Sequence, residues 1–274
     1  METGLRIRFA RDPEGRTFLS GQRAAYPFHL CRPFYLDGDP AGMATVYVQS
    51  CAGGIFEHDR LSVRLSSGAA TAVHVTSQAS TIVHGMTGGM ACQAAEIEAG
   101  ADALVEYLPD PLILFPRSRF DNRLTIRVHE NATVIAGDAF LAHDPAGRGG
   151  VFDWFSSTLS VTDGAGRPLV FDRFSIEGSR HAGLATGVAG GFRAQGSLIV
   201  LHRAGAAESM LDRVRTALAS APDTYGGASL LPGGVGLWVR FQTMDGAALR
   251  AAASAAWVAV RQVLAGRAAP LRRK

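Results

Sequence analysis

Lysine is nearly missing from this sequence: the single one is the final residue, Lys274, and arginine carries the rest of the basic charge. A phosphate-cradling loop of the form G-x-x-x-x-G-K-[ST] is therefore excluded, because it needs an internal lysine. Cysteine is scarce as well. Cys31, Cys51 and Cys92 are odd in number and far apart, a usage that suits reduced thiols in a cytoplasmic protein better than a disulfide framework. The longest apolar helical stretch, Ala251 to Val260, is about half of the roughly 20 residues that span a bilayer. The opening METGLRIRFARDPEGR has no signal-peptide apolar region. These absences predict a cytoplasmic chain without a membrane partner.

Motifs of catalysis are missing too. No G-x-S-x-G elbow occurs, and Gly178-Ser179-Arg180-His181 sets serine and histidine too close in sequence to infer a triad. The clusters Gly187-Val-Ala-Gly190-Gly191 and Gly233-Gly234-Val-Gly236 fail G-x-G-x-x-G and read as turns. The eight histidines form no H-x-H or H-E-x-x-H and neighbour no C-x-x-C, so there is no firm metal-ligand set. His74, out of phase with Val73 and Val75, reads as a residue of a polar strand face. Basic residues are scattered apart from the tail Arg272-Arg273-Lys274, and no stripe marks a nucleic-acid surface. No catalytic residue is assigned.

What is present is a globular balance, 47% hydrophobic and 19% charged, with 32 glycines, more turn-rich than a helical bundle requires. Between residues 44 and 241 the chain reads as short alternating segments, TVYVQ, LSVRL, TAVHVTS, DALVEYL, RLTIRVHE, STLSVTD, PLVFDRFSI, GSLIVLHR and GLWVRF, separated by turn residues. Connections such as Asp163-Gly-Ala-Gly166 and His129-Glu-Asn131 are short, which permits antiparallel pairing but leaves no room for helical crossovers. Two helices are predicted. One runs from about 208 to 219, with Leu211, Val214 and Leu218 at helical spacing; Pro222 stops it. The other runs from about 247 to 264, with Leu249, Ala253, Trp257, Val260 and Leu264 on one face and Gly266 after it. The expectation is one domain over 1–274, with a strand-rich body from about 30 to 241. Sandwich, barrel and β-helical stack remain open on periodicity alone.

The stretch Cys51-Ala-Gly-Gly-Ile-Phe-Glu-His-Asp59 gathers a thiol, an imidazole and two carboxylates, a set that nickel or zinc could accept. It also has what a turn needs: Gly53-Gly54 for unusual backbone angles and Ile55-Phe56 as apolar anchors.

An ordered series of segments adds to this. Arg32-Pro-Phe-Tyr35, Ala44-Thr-Val-Tyr47, Gly53-Gly54 with Asp59-Arg60-Leu61, and Val75-Thr-Ser-Gln-Ala-Ser80 are followed by Leu104-Val-Glu-Tyr-Leu-Pro-Asp-Pro-Leu-Ile-Leu-Phe115, Arg119-Phe120, Arg123 and Leu231-Pro-Gly-Gly234. In order and spacing the series resembles the urease accessory protein family UreD, also called UreH, from about Arg32 to Gly266. Two departures stand out. Glu57-His58 occupies the place of a second glycine pair, and Ala146-Gly-Arg-Gly-Gly150-Val-Phe152 has glycine where the family tends to carry glutamate.

The resemblance implies a mainly β fold, a β-helical stack of short strands with two α-helices near the C-terminus. It implies a non-catalytic scaffold that sits on apo-urease, joins UreF and the GTPase UreG, and supports nickel delivery through an internal passage. A divergent paralogue with altered partners, or a small β-rich enzyme with an unreadable site, are the alternatives. No tightly bound cofactor is expected, only transient Ni2+. Candidate residues for the metal passage are Asp138, Glu177, Asp59, His58 and Glu57, with Cys51 set aside as a strand-end residue. Trp257, Leu249 and Val260 are the partner-binding candidates, a face expected to pack inward or on UreF.

Overall fold

A computed structural model describes residues 4–183, 187–202, 207–266 and 269–270; the basic tail at 272–274 lies outside them. Strands begin earlier than the expected body. β1 (Gly4–Arg11) and β2 (Thr17–Ala24) form a hairpin ahead of β3 (Phe28–Leu30) and β4 (Ala44–Ser50). The chain then coils: β5 (Arg60–Ser67), β6 (Ala72–Ser77), β7 (Thr81–Val83), β8 (Ala91–Ala99), β9 (Leu104–Tyr107), β10 (Leu112–Leu114), β11 (Arg119–Val128), β12 (Thr133–Ala142) and β13 (Trp154–Asp163). The last part comprises β14 (Pro168–Glu177), α1 (Gly178–Ala182), β15 (Ala194–Leu201), α2 (Ala207–Ala219), β16 (Thr224–Leu230), β17 (Gly236–Thr243) and α3 (Gly246–Ala265).

Successive long strands alternate between two sheets. One has the order β14-β13-β11-β8-β5-β1-β2, and the other runs β16-β17-β15-β12-β9-β6-β4-β3 with β7 and β10 alongside. Within the coils the strands pair in parallel. The connection at His129-Glu-Asn131 is a corner that passes the chain from β11 to the other sheet, where β12 lies parallel to β9. A coil that returns one layer up gives parallel pairing without a helical crossover. Asp163–Gly166 makes an antiparallel hairpin, between β13 and β14.

Three corners stack on one another and share a device. Ala70, Asp102 and Asn131 all take positive φ, at 53°, 58° and 55°. The Ala70 amide donates to the Ala101 carbonyl at 2.8 Å, and the Asp102 amide to the Glu130 carbonyl at 3.0 Å. Aspartate and asparagine tolerate this left-handed conformation better than most residues. The matching positions 70, 102 and 131 are unevenly spaced, so no fixed repeat period shows in the sequence.

The space between the sheets is packed with Leu5, Ile7, Val46, Leu65, Val75, Ile97, Val105, Ile126, Val134 and Val161. On the far side of the second sheet a separate cluster joins Ile135, Leu198, Val200, Val239 and Phe241 to Met210, Val214 and Leu218 of α2 and to Leu249, Trp257 and Val260 of α3. The helix α3 is capped at both ends: the Asp245 carboxylate accepts from the Ala247 and Ala248 amides at 2.8 Å each, and Gly266 closes it with φ 66°.

A buried charge network pins α3 down. The fully buried Arg261 donates through Nε and Nη2 to Glu106 at 2.6 and 2.7 Å, and through Nη1 to Asp39 at 2.8 Å. The reading of His74 as a residue of a polar face needs correcting: it is 2% exposed, 2.7 Å from Glu106, beneath the Trp257 ring. Its strand phase does point away from the main core, but α3 covers that side. Burial drives the Glu106 carboxyl upward, yet hydrogen bonds from His74 and Arg261 outweigh it and bring the pKa down to about 2. The same pairing raises the Arg261 pKa against the effect of its own burial.

Candidate functional site

Side chains at alternate positions of each long strand point between the sheets, and nearly all are apolar. One layer breaks this. In β11 the inward series is Phe120, Asn122, Leu124, Ile126 and Val128, and Asn122 lies opposite Gln93 of β8 and Ser157 of β13. From the facing sheet β12 turns Val134, Ala136, Asp138 and Phe140 inward. The polar layer therefore separates the main core from a second apolar cluster of Ile55, Leu61, Val83, Leu112, Phe120, Phe140 and Phe155.

Asp138 is the centre of that layer. Its Oδ1 accepts from Asn122 Nδ2 at 3.0 Å and its Oδ2 from the Ser157 hydroxyl. Protein surrounds the carboxyl, though part of its surface stays open to a cavity. Burial raises its pKa above the ordinary aspartate value, and hydrogen bonds from Ser157, Asn122 and the Ala139 amide offset this only in part. Burial, and then the neighbouring Asp138, likewise raise the Tyr107 pKa.

The cavity holds about 480 Å³. Asp138, Asn122, Gln93 and Tyr107 form its inner wall, and Cys51–Gly54, Gln78–Thr81 and Asp110 its outer part. Beyond Asp138 lies a second space of about 30 Å³, which shares Leu124, Gly137 and Asp138 with the first; that is room for a water. The small space also borders Gln195, Trp238 and Arg240, which line a surface cleft between β14 and β16. Arg240 is paired there with Asp172 at 2.8 Å. Polar side chains thus line both spaces, and Asp138 is common to the two.

The other residues singled out from sequence lie elsewhere. Glu177 ends β14 on the outer face of the first sheet, 3.8 Å from Arg180 and exposed, so it is not brought together with Asp138. Glu57, His58 and Asp59 do not line the cavity, although Cys51–Gly54 of the same loop do. The Glu57 carboxylate accepts from the Thr87 amide at 3.2 Å, the Thr87 hydroxyl at 2.8 Å, the Gly88 amide at 2.9 Å and the Gly89 amide. These bonds, led by Gly89, lower its pKa to about 2. Asp59 accepts from the Phe56 amide at 2.8 Å, and His58 is exposed with φ 69°. Both carboxylates are taken up in fixing the turn. Among the described residues no group of three or more His, Cys, Asp or Glu is placed to hold a metal ion.

Trp257, Leu249 and Val260 are 8%, 0% and 0% exposed. Of the two places expected for this face, it takes the inward one, against β15 and β17, and so offers a partner no surface. No helix among the described residues is long and apolar enough to cross a membrane.

The family model described as "UreD urease accessory protein" matches residues 1–274. The chain belongs to the UreD family. It is 39% identical to urease accessory protein UreD 1 of Pseudomonas syringae pv. syringae (strain B728a), over 98% of this chain and 94% of that one. Against UreD 1 of Methylorubrum populi the identity is 36%, over 95% and 88%, and against UreD 2 of Brucella suis biovar 1 it is 31%, over 97% and 89%. Within this UreD chain, sequence reasoning picked out Asp138 but missed Asn122, Ser157 and Gln93. The signal was there: Gln93 and Asn122 are each the single polar residue in the inward phase of their strand, and Ser157 stands between Phe155 and Leu159 in that of β13.

Proposed function

We propose that the protein is a non-catalytic, cytoplasmic scaffold of urease maturation, which binds UreF, UreG and apo-urease and lets Ni2+ cross its interior past Asp138. The observation that carries this reading is the polar layer, with its cavity, lying between two apolar clusters. Burying polar groups there has a stability cost that an apolar layer would avoid. The layer offers hard oxygens, a carboxylate and a hydroxyl, which hold a divalent transition ion far less tightly than thiolates do and so allow release. An arriving dication favours the ionised form of Asp138, and the hydroxyl of Ser157 and amide of Asn122 keep the carboxylate oriented. Family membership supports the choice of partners.

The test is urease activation in cells lacking their own UreD, under limiting nickel. Asp138→Asn keeps the shape and removes the charge. It is expected to co-purify with UreF, UreG and apo-urease while activation falls by about tenfold or more. Normal activation with the complex intact would overturn nickel passage at Asp138.

A further inference from the structure

The arginines that look scattered in sequence are gathered by strand pairing. On the outer face of the first sheet, Arg6 of β1 lies opposite Arg64 of β5 on one side and Arg23 of β2 on the other. In neighbouring rows stand Arg8 of β1, Arg123 and Arg127 of β11, and Arg173 of β14. Carboxylates on the same face are fewer: Glu96 and Glu98 of β8, the first 3.1 Å from Arg64, Asp121, 2.6 Å from Arg123, and Glu177 at the end of β14, 3.8 Å from Arg180. With Arg60 of β5 and Arg119 of β11 in the same outward phase, nine arginines stand against these four carboxylates, an excess of positive charge larger than the formal +3 of the whole chain.

Like charges directly opposite one another in a sheet are destabilising, so Arg23, Arg6 and Arg64 in one row are not there for the sheet's own benefit. Small residues, Ser62, Ala94, Thr125, Thr158 and Ser160, lie between them and keep the face flat. Seven strands about 4.8 Å apart and about eight residues long cover roughly 750 Å², close to the roughly 800 Å² that one partner contributes to a stable interface. The long helices α2 and α3 pack on the other sheet.

We infer that this face docks an acidic surface of apo-urease. The inference rests on the proposed function. The choice of partner follows from continuity: β14, the edge strand of this face, is also one wall of the cleft onto which the narrow space beyond Asp138 abuts. A protein seated on the arginines borders that end of the polar path, where a recipient of the ion belongs. A nucleic acid fits less well, since Glu96 and Glu98 sit in the middle of the face and a flat sheet offers no element to enter a groove.

The experiment uses the full chain in complex with UreF and measures binding to purified apo-urease and to a duplex DNA at two salt concentrations. The face variant carries Arg8→Glu, Arg123→Glu, Arg127→Glu and Arg173→Glu; the control carries Arg213→Glu and Arg250→Glu, both exposed on the helices. The face variant is expected to bind apo-urease about tenfold or more weakly, the control within about twofold, and wild-type binding to fall with salt. Equal weakening of both variants, or no weakening of the face variant, overturns the docking face alone. Loss of DNA binding with apo-urease binding unchanged overturns it in favour of a nucleic acid. Wild-type complex that does not bind apo-urease overturns both this inference and the scaffold reading.

Discussion

The two sheets share one core, but their other sides differ. Strands of the first sheet alternate strictly, as in β5 and β11, where Leu61, Val63 and Leu65, or Ile126 and Val128, point in and Ser62, Arg64, Arg123 and Arg127 point out. Strands of the second sheet are apolar on both sides: Val134 and Ala136 face the core while Ile135 faces the helices, and Leu198, Ile199, Val200 and Leu201 run without a break. A sheet buried on both faces needs continuous apolar strands, and one with a solvated face needs alternation. The second sheet is therefore part of the stability of the fold on both sides, and the first leaves one side free for charge.

The sharpest way to break this comparison is to remove one anchor from each side. Arg261→Ala leaves Glu106 and Asp39 buried without their counter-charge and is expected to cost about 3 to 5 kcal/mol. Arg127→Ala, on the bare face, is expected to stay within about 0.5 kcal/mol. Urea unfolding of both variants measures the contrast, and equal losses would abolish it.

A smaller effect is expected at Asp138, between the sheets. Because its folded pKa lies above the ordinary value of 3.8, the penalty for ionising it is absent below that value and grows as pH rises through the raised one. Asp138→Asn should therefore melt a few degrees higher than wild type at pH 7.5, with the gain shrinking toward pH 4. A variant less stable at neutral pH would show that the carboxylate is held there by more than Ser157, Asn122 and Ala139.

The smallest effect is expected at the rim. Glu57 is depressed to about 2 from 4.5, so what it contributes is present above pH 4.5 and lost as pH falls toward 2. Glu57→Gln should speed amide exchange at Thr87, Gly88 and Gly89 at pH 6 while leaving the melting temperature unchanged. Unaltered exchange would mean that the loop holds itself.

Much of this was legible in the sequence, for identifiable reasons. Both long helices follow from apolar spacing and flanking Pro and Gly, and observed boundaries lie within one residue of those expected. In the first sheet β5, β11, β13 and β14 were legible because their period is two, whereas β1, β2 and β8 were not singled out. Pairing direction was not, because a four-residue connection suits a hairpin and a coil corner equally, and only the next strand's partner decides between them. The short α1 gave no sign, as five residues are too few for periodicity. At the site, Asp138 came from the family resemblance, while Asn122 and Ser157 needed the inward phase of two strands known together. Glu106 and Arg261 are 155 positions apart, and no local pattern joins them.

The polar layer has a consequence for how the fold comes apart. Interior packing couples distant parts of a protein because apolar contacts run without interruption, and here they are interrupted at Asp138. The phenylalanine-rich cluster of Phe120, Phe140 and Phe155 meets the main core through the backbone ladders and through Phe28, which packs against both. The layer is a seam along which the end of the stack can open as a unit of its own while the remaining coils stay closed. A route across a protein and a weak joint in its cooperativity are then one and the same feature.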